Sequence, residues 1–148
     1  MGYSKTALFT CMYELDHTYK WPYYKEEKGD HSSCTLTILH QRIKGKIEDF
    51  SLVIACRESD ICVFGLYPRK VPDLKKRDFA ELLSKINFDK WFGNAELDFS
   101  DGELRSRYAV DFRDSFLSPQ MIRDAITITA DWVVELDNVY SSTLNDSS

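Results

Sequence analysis

The side chains in this chain best placed to do chemistry are four carboxylates in one stretch, Asp98, Asp101, Glu103 and Asp111. Paired carboxylates can act as general acid and base, or hold a divalent cation through oxygen ligands. Turn chemistry accounts for Asp101 in the Ser100-Asp101-Gly102 turn, and solvated strand faces account for the others. The nucleophile candidates are scattered: Cys11, Cys34, Cys56 and Cys62 show no CxxC spacing, and His17, His31 and His40 add no matching ligand spacing. No serine sits in an elbow-type sequence, and no glycine-rich phosphate loop is present. The expectation is therefore of no enzymatic activity, no cofactor and no metal. The four thiols are read as small buried apolar residues in a reducing compartment, with Cys56 and Cys62 flanking the turn at Arg57–Asp60 and so near each other on paired strands.

A second group of residues is suited to holding a partner. Arg105 and Arg107 alternate with apolar neighbours and share one strand face, where they can pair across to Glu96 and Asp98. That face is either the polar outside of a sheet or a docking surface. Tyr3, Phe9, Tyr13, Trp21, Tyr23 and Tyr24 crowd a short N-terminal segment, as contact surface or as packing of a first helix. Trp91, Phe92 and Trp132 offer a different possibility, an apolar small-ligand pocket between sheet and helices.

Composition narrows the classes. At 148 residues and 43% apolar, with 14% aromatics, the chain can build one well-filled core. Its 24 acids against 19 bases, interspersed, give a formal charge of −5, which disfavours binding to nucleic acid through clustered Lys and Arg. No apolar run approaches the roughly 20 residues a bilayer crossing needs. The N-terminus carries acids and aromatics where a signal peptide keeps a clean apolar stretch, so the expected location is the cytoplasm, with no membrane partner. Gly2 and Thr6 match the myristoylation spacing, which is read as incidental.

The elements that must position these residues follow from periodicity. Leu8, Met12, Leu15 and Tyr19 predict a first helix over Ser4–Tyr19, with Trp21–Ser33 as a connector. Strands are predicted at Cys34–Ile43, Asp49–Cys56 and Ile61–Tyr67, joined as a meander. The second favours one face, with Phe50, Leu52, Ile54 and Cys56 alternating with Ser51, Val53 and Ala55, and the third is apolar on both sides, hence central or covered. Pro68 and Pro72 end the sheet, and Phe79, Leu82, Leu83 and Ile86 mark a helix over Asp73–Asn87 with Lys75, Lys76, Arg77 and Lys85 in solvent. A hairpin with Ala95, Leu97 and Phe99 on one side, and Leu104, Ser106, Tyr108, Val110 and Phe112 likewise, turns at Asp101-Gly102. Ser118 and Pro119 open a long last helix whose face includes Ile122, Ile126, Trp132, Val133 and Leu136, and residues 141–148 are expected to fray. The fold class is α+β, of order α-β-β-β-α-β-β-α, an antiparallel sheet covered on one face by helices.

The Val71-Pro72 entry to the central helix, its end at Ile86-Asn87-Phe88, then Gly93, Glu96-Leu97-Asp98 and Asp101-Gly102-Glu103-Leu104-Arg105 together resemble the YbjN family of bacterial sensory transduction regulators. The resemblance spans roughly residues 35–140, within a single domain of residues 1–148 whose core is 33–140. Family members often carry an aromatic where this chain has Ala95. The fold of that family is similar to class I type III secretion chaperones, which implies a homodimer that binds an extended segment of a protein client. Its motifs are structural and carry fold further than function. The expected function is a non-enzymatic interaction module, chaperone-like or regulatory; the alternative is a small-ligand sensor.

Overall fold

A computed structural model describes the backbone of residues 2–21, 23–28, 31–43 and 46–144, and the side chains of 7–21, 23–27, 32–35 and 49–144. The first helix, α1 (Gly2–Tyr19), buries Leu8, Cys11, Met12 and Leu15, one stripe at three- and four-residue steps. It stops at Lys20, whose left-handed φ of 60° lets its N–H donate to the Asp16 carbonyl at 2.8 Å. Tyr19, expected in the stripe, is exposed instead.

Six antiparallel strands form one sheet: β1 (Tyr23–Lys28), β2 (His31–Ile43), β3 (Lys46–Cys56), β4 (Asp60–Lys70), β5 (Asn94–Leu97) and β6 (Glu103–Asp111), in the order β1-β2-β3-β4-β6-β5. The α+β class and the antiparallel sheet agree with the sequence. The predicted connector, however, contains β1, whose residues pair with β2 from Tyr23↔Leu36 to Lys28↔His31. As an edge strand it is paired on one side only, and the charges Lys25, Glu26, Glu27 and Lys28 that suit such an edge conceal its alternation.

Alternation sets the two faces. Phe50, Leu52, Ile54 and Cys56 of β3, Ile61, Val63 and Tyr67 of β4, and Leu104 and Ser106 of β6 are buried on the inner face. The long helix α3 (Pro119–Leu144) lies across β4 and β6 on that face, and α1 covers β2 and β3. Ser118 caps α3, its Oγ accepting the Met121 N–H at 3.2 Å. The approach is close because Gly65 of β4 has no side chain: a Cβ there would fall 2.5 Å from Ser106 Oγ and 2.6 Å from Val133 Cγ2. Ser106 also donates to the Thr129 carbonyl at 2.9 Å. Burial of Ile122, Ile126, Trp132, Val133 and Leu136 contributes roughly ten kcal/mol gross, before conformational entropy is set against it.

Two hydrogen bonds join the second half of α3 to β4. Tyr67 Oη donates to the buried Asp137 carboxylate at 2.5 Å, with Arg69 at 3.9 Å, and Tyr140 Oη donates to the Lys70 carbonyl at 3.0 Å. The helix thus runs through Leu144, and Ser141 is buried where fraying was expected; residues 145–148 lie outside the described residues.

The central helix begins with a 3-10 turn, Asp73–Lys75, and continues as α2 (Lys76–Phe88), burying Phe79 and Leu83. Lys76 does not face solvent as expected. Its stem is largely covered, and its ammonium reaches Asp73 at 2.6 Å and the Phe99 carbonyl at 2.7 Å. The turn at residues 98–103 packs against Val71: Gly102 adopts φ +83°, its carbonyl accepts the Val71 N–H at 2.9 Å, and a Cβ at Gly102 would sit 2.3 Å from the Val71 oxygen.

Candidate partner-binding surfaces

The helix-free outer face of the sheet carries the first candidate surface. Ser51, Val53 and Ala55 of β3 pair in register with Leu66, Phe64 and Cys62 of β4, and these in turn with Arg105, Arg107 and Ala109 of β6. The centre of this face is apolar and half-buried, whereas a solvated sheet face is normally polar. Arg105 and Arg107 lie over the Phe64 ring, their guanidinium carbons 4.6 and 5.9 Å from its centroid. Glu96 on β5 holds both: Arg105 Nε donates to Oε1 at 2.7 Å, and Arg107 Nη2 donates to Oε2. Burial pushes the Glu96 carboxyl up, but the hydrogen bonds and charges of the two arginines outweigh it and leave the group below its usual value. The same bond to Glu96 raises Arg107 above the ordinary guanidinium value. The expected cross-strand pairing is therefore present, except that Asp98 takes no part; its Oδ1 accepts the Ser100 N–H and hydroxyl at 2.8 and 2.6 Å.

The N-terminal aromatics do not gather beside these arginines. Tyr24 is exposed on β1, at the opposite edge of the sheet from β5. Phe9 packs against the core with Lys25 5.0 Å above its ring, and Tyr23 joins the same group. Tyr19 and Trp21 stack at 4.9 Å, and Tyr13 is exposed beside His17. The side chain of Tyr3 lies outside the described residues. About half of this predicted surface is thus packing, and Tyr13 and Tyr24 are its free members.

The proposed ligand-pocket trio does not line one cavity. Trp132 is buried, with Nε1 donating to the Phe92 carbonyl at 3.2 Å and Lys90 5.1 Å over its ring. Trp91 is 91% exposed and turned away from it, because it stands in the bend after α2 instead of in a packed element.

A second surface escaped the sequence. Between α2 and β5 runs a groove of about 490 Å³ lined by Ala80, Leu83, Ser84, Ala95 and Leu97, with Phe88 and Phe99 at its ends. Phe88 is nine residues beyond Phe79, half a revolution round the helix from the buried stripe, and this spacing is the signal that could have revealed it. Asn87 closes the strand edge beside the groove: its Oδ1 accepts the Ala95 N–H at 2.9 Å and its Nδ2 donates to the Ala95 carbonyl at 3.0 Å.

Three of the four carboxylates that opened the chemical question, Asp98, Asp101 and Asp111, are occupied locally. Asp101 accepts the Glu103 N–H at 2.9 Å, and Asp111 accepts from Arg113 at 2.6 Å. Among the described residues no His, Cys, Asp and Glu group is arranged to hold a metal ion, and no helix is long and apolar enough to cross a membrane. None of the four cysteines, all among the described residues, is in a disulfide. Cys34 and Cys56 face inward and Cys62 outward, so Cys56 and Cys62 are on neighbouring strands but opposite faces. Burial pushes the thiols of Cys11 and Cys56 up to about 11 and that of Cys34 to about 12.

The family model described as "Putative bacterial sensory transduction regulator", YbjN, matches residues 23–139, most of the chain and all six strands. The chain belongs to the YbjN family. The match begins at β1, so it takes in the edge strand and leaves α1 outside. No curated protein and no solved structure matches this YbjN chain.

Proposed function

We propose that this YbjN-family chain is a non-enzymatic interaction module, chaperone-like or regulatory, that binds a segment of a protein partner in the bacterial cytoplasm and acts as a homodimer. The observation that carries the proposal is the outer sheet face, where Val53, Phe64 and Leu66 form an apolar centre and Arg105 and Arg107 are held over Phe64 by Glu96. Partly desolvated arginines over an aromatic ring are the side chains that anchor protein interfaces, and here their rotamers are fixed before a partner arrives. A role as regulator fits the family description. Capture of a client segment, in the manner of the secretion chaperones whose fold the family is expected to share, is the finer part of the proposal. The small-ligand alternative has lost its lining, since Trp91 and Trp132 do not converge.

The test is capture from bacterial lysate on the immobilised chain, with Phe64→Asp and Arg105→Glu as comparisons. Native protein should retain one partner in stoichiometric amount, and each variant should weaken it about tenfold or more, the scale of an anchoring residue. Retention unchanged in both variants would refute the proposal. Deleting α1 is not a usable test, because α1 supplies Leu8, Met12 and Leu15 to the core.

A further inference from the structure

The apolar centre of the open sheet face restricts what can cover it. It lies on β3, β4 and β6, each paired on both sides, so the backbone N–H and C=O groups beneath it are bonded within the sheet. An extended segment laid over Phe64 finds no backbone partner there. The edges of the sheet serve such a segment no better. On β5 both Ala95 backbone groups are bonded to Asn87, and β1 carries Lys25, Glu26, Glu27 and Lys28, charges that oppose pairing with another strand. A helix needs neither an edge nor a backbone partner, because it closes its own hydrogen bonds.

The dimensions agree. Strands lie about 4.8 Å apart, so β3 to β6 spans about 10 Å, the diameter of one helix. Along the strands, the register row of Ala55, Cys62 and Ala109 and that of Ser51, Leu66 and Arg105 are separated by about 13 Å, which roughly nine helical residues cover. Charge distinguishes the two flanks. Arg105 and Arg107 form one, with side chains 41% and 40% exposed. Each guanidinium has five N–H donors and gives one to Glu96, so two positive charges share one carboxylate. Asp98 and Glu103 stand near the Arg105 end, whereas Arg107 is ion-paired with Glu96 alone among the described residues. The other flank, Thr35 of β2 and Tyr24 of β1, lies in the register row of Val53, Phe64 and Arg107 and carries no charge.

We infer that this face receives an amphipathic helix of the partner, about three turns long, with its apolar stripe on Val53, Phe64 and Leu66, an acidic residue against Arg107 and an uncharged flank toward Thr35. The inference rests on the partner-binding function proposed above and names the element bound. The helix adds a third layer to a sheet that is covered on one side only. Its carboxylate takes outward donors of Arg107 while Glu96 keeps the guanidinium in place, so the arginine is already ordered when the helix arrives. A lysine on the same flank would instead meet two guanidinium groups.

Fluorescence anisotropy of labelled peptides of about 14 residues, titrated with the full chain, tests this. One peptide has Leu at three- and four-residue steps with Glu along one flank, a second has Lys in place of Glu, and a third has the composition of the first with Leu at alternate positions. The native chain should bind the first at least about fivefold more tightly than either of the others. Arg107→Gln, which keeps a donor for Glu96, should leave melting unchanged and bring the Glu and Lys peptides within about twofold of each other. Equal affinity of the native chain for the Glu and Lys peptides, tighter binding of the alternating peptide, discrimination that survives Arg107→Gln, or no binding of any peptide at millimolar concentration would each overturn the inference. Crosslinking from Leu66 in bacteria separates it from the function itself. A captured segment with a basic flank or an alternating pattern contradicts the acidic helix and leaves the function standing, whereas capture of no protein contradicts both.

Discussion

Replacing Tyr67 with Phe removes one oxygen atom and leaves a buried carboxylate without its donor. Asp137 is 2% exposed; its Oδ1 accepts from the neutral Tyr67 Oη at 2.5 Å, and the cation nearest it among the ion pairs of the described residues is Arg69 at 3.9 Å. A hydrogen bond to a charged group is worth about 1.5–3 kcal/mol, and the packing of the ring is preserved by Phe. The expected loss is therefore about 2–3 kcal/mol, which for a domain of this size lowers the melting temperature by roughly 5–10 °C. The contact ties β4 to the second half of α3, so hydrogen exchange should rise first in the segment around Asp137 and Tyr140. Calorimetry of native and Tyr67→Phe protein at neutral pH measures the effect. A shift below about 1 °C would show that Asp137 is satisfied by other means and that this anchor is wrongly described.

Asn87→Ala should cost about 1–3 kcal/mol in urea unfolding, because the Ala95 N–H and carbonyl both lose their partner, and it should increase aggregation by opening the β5 edge. A loss under about 0.5 kcal/mol would contradict the edge-sealing role. Alkaline pH should destabilise the fold through the buried thiols. Their folded pKa values of about 11 for Cys11 and Cys56 and about 12 for Cys34 lie above the ordinary 9.0, so the folded state keeps protons that the unfolded state releases. This stability is complete below pH 9, falls by about 1.4 kcal/mol per pH unit per thiol above it, and levels off beyond the folded values. Burial and the bond to Asp137 push the Tyr67 hydroxyl up as well, adding to the fall above pH 10. Urea midpoints between pH 8 and 11 should decline, less steeply in Cys34→Ala; a flat profile would contradict the burial of these groups.

What could be read from the sequence was what is encoded locally. The Ser118-Pro119 start of α3, the Phe50/Leu52/Ile54/Cys56 alternation and the turn at Gly102 each depend on residues within a few positions of one another, and all three are present. The edge strand β1 was hidden because charged residues suited to one-sided pairing break the apolar alternation. Lys76 was misplaced since its carbonyl partner, Phe99, is contributed by a distant turn. Among the candidate site residues, Arg105, Arg107 and Glu96 were legible, because β5 and β6 form a hairpin whose register follows from its turn. Trp91 and Trp132 were not, since a helix-end bend decides which way Trp91 points. Residues on elements far apart in the chain, such as Tyr24 and Arg105, share a face without sharing a neighbourhood, and periodicity cannot tell the two apart.

Phe64, at the centre of the open sheet face, is where the proposed protein partner would seat. A photo-crosslinking amino acid placed at Leu66, beside Phe64 on that face, tests this in living bacteria, with Lys85 on the exposed rim of α2 as the comparison. One strong heterologous adduct is expected from position 66 and none from position 85. No heterologous adduct at 66, or the same foreign protein at both positions, would contradict it.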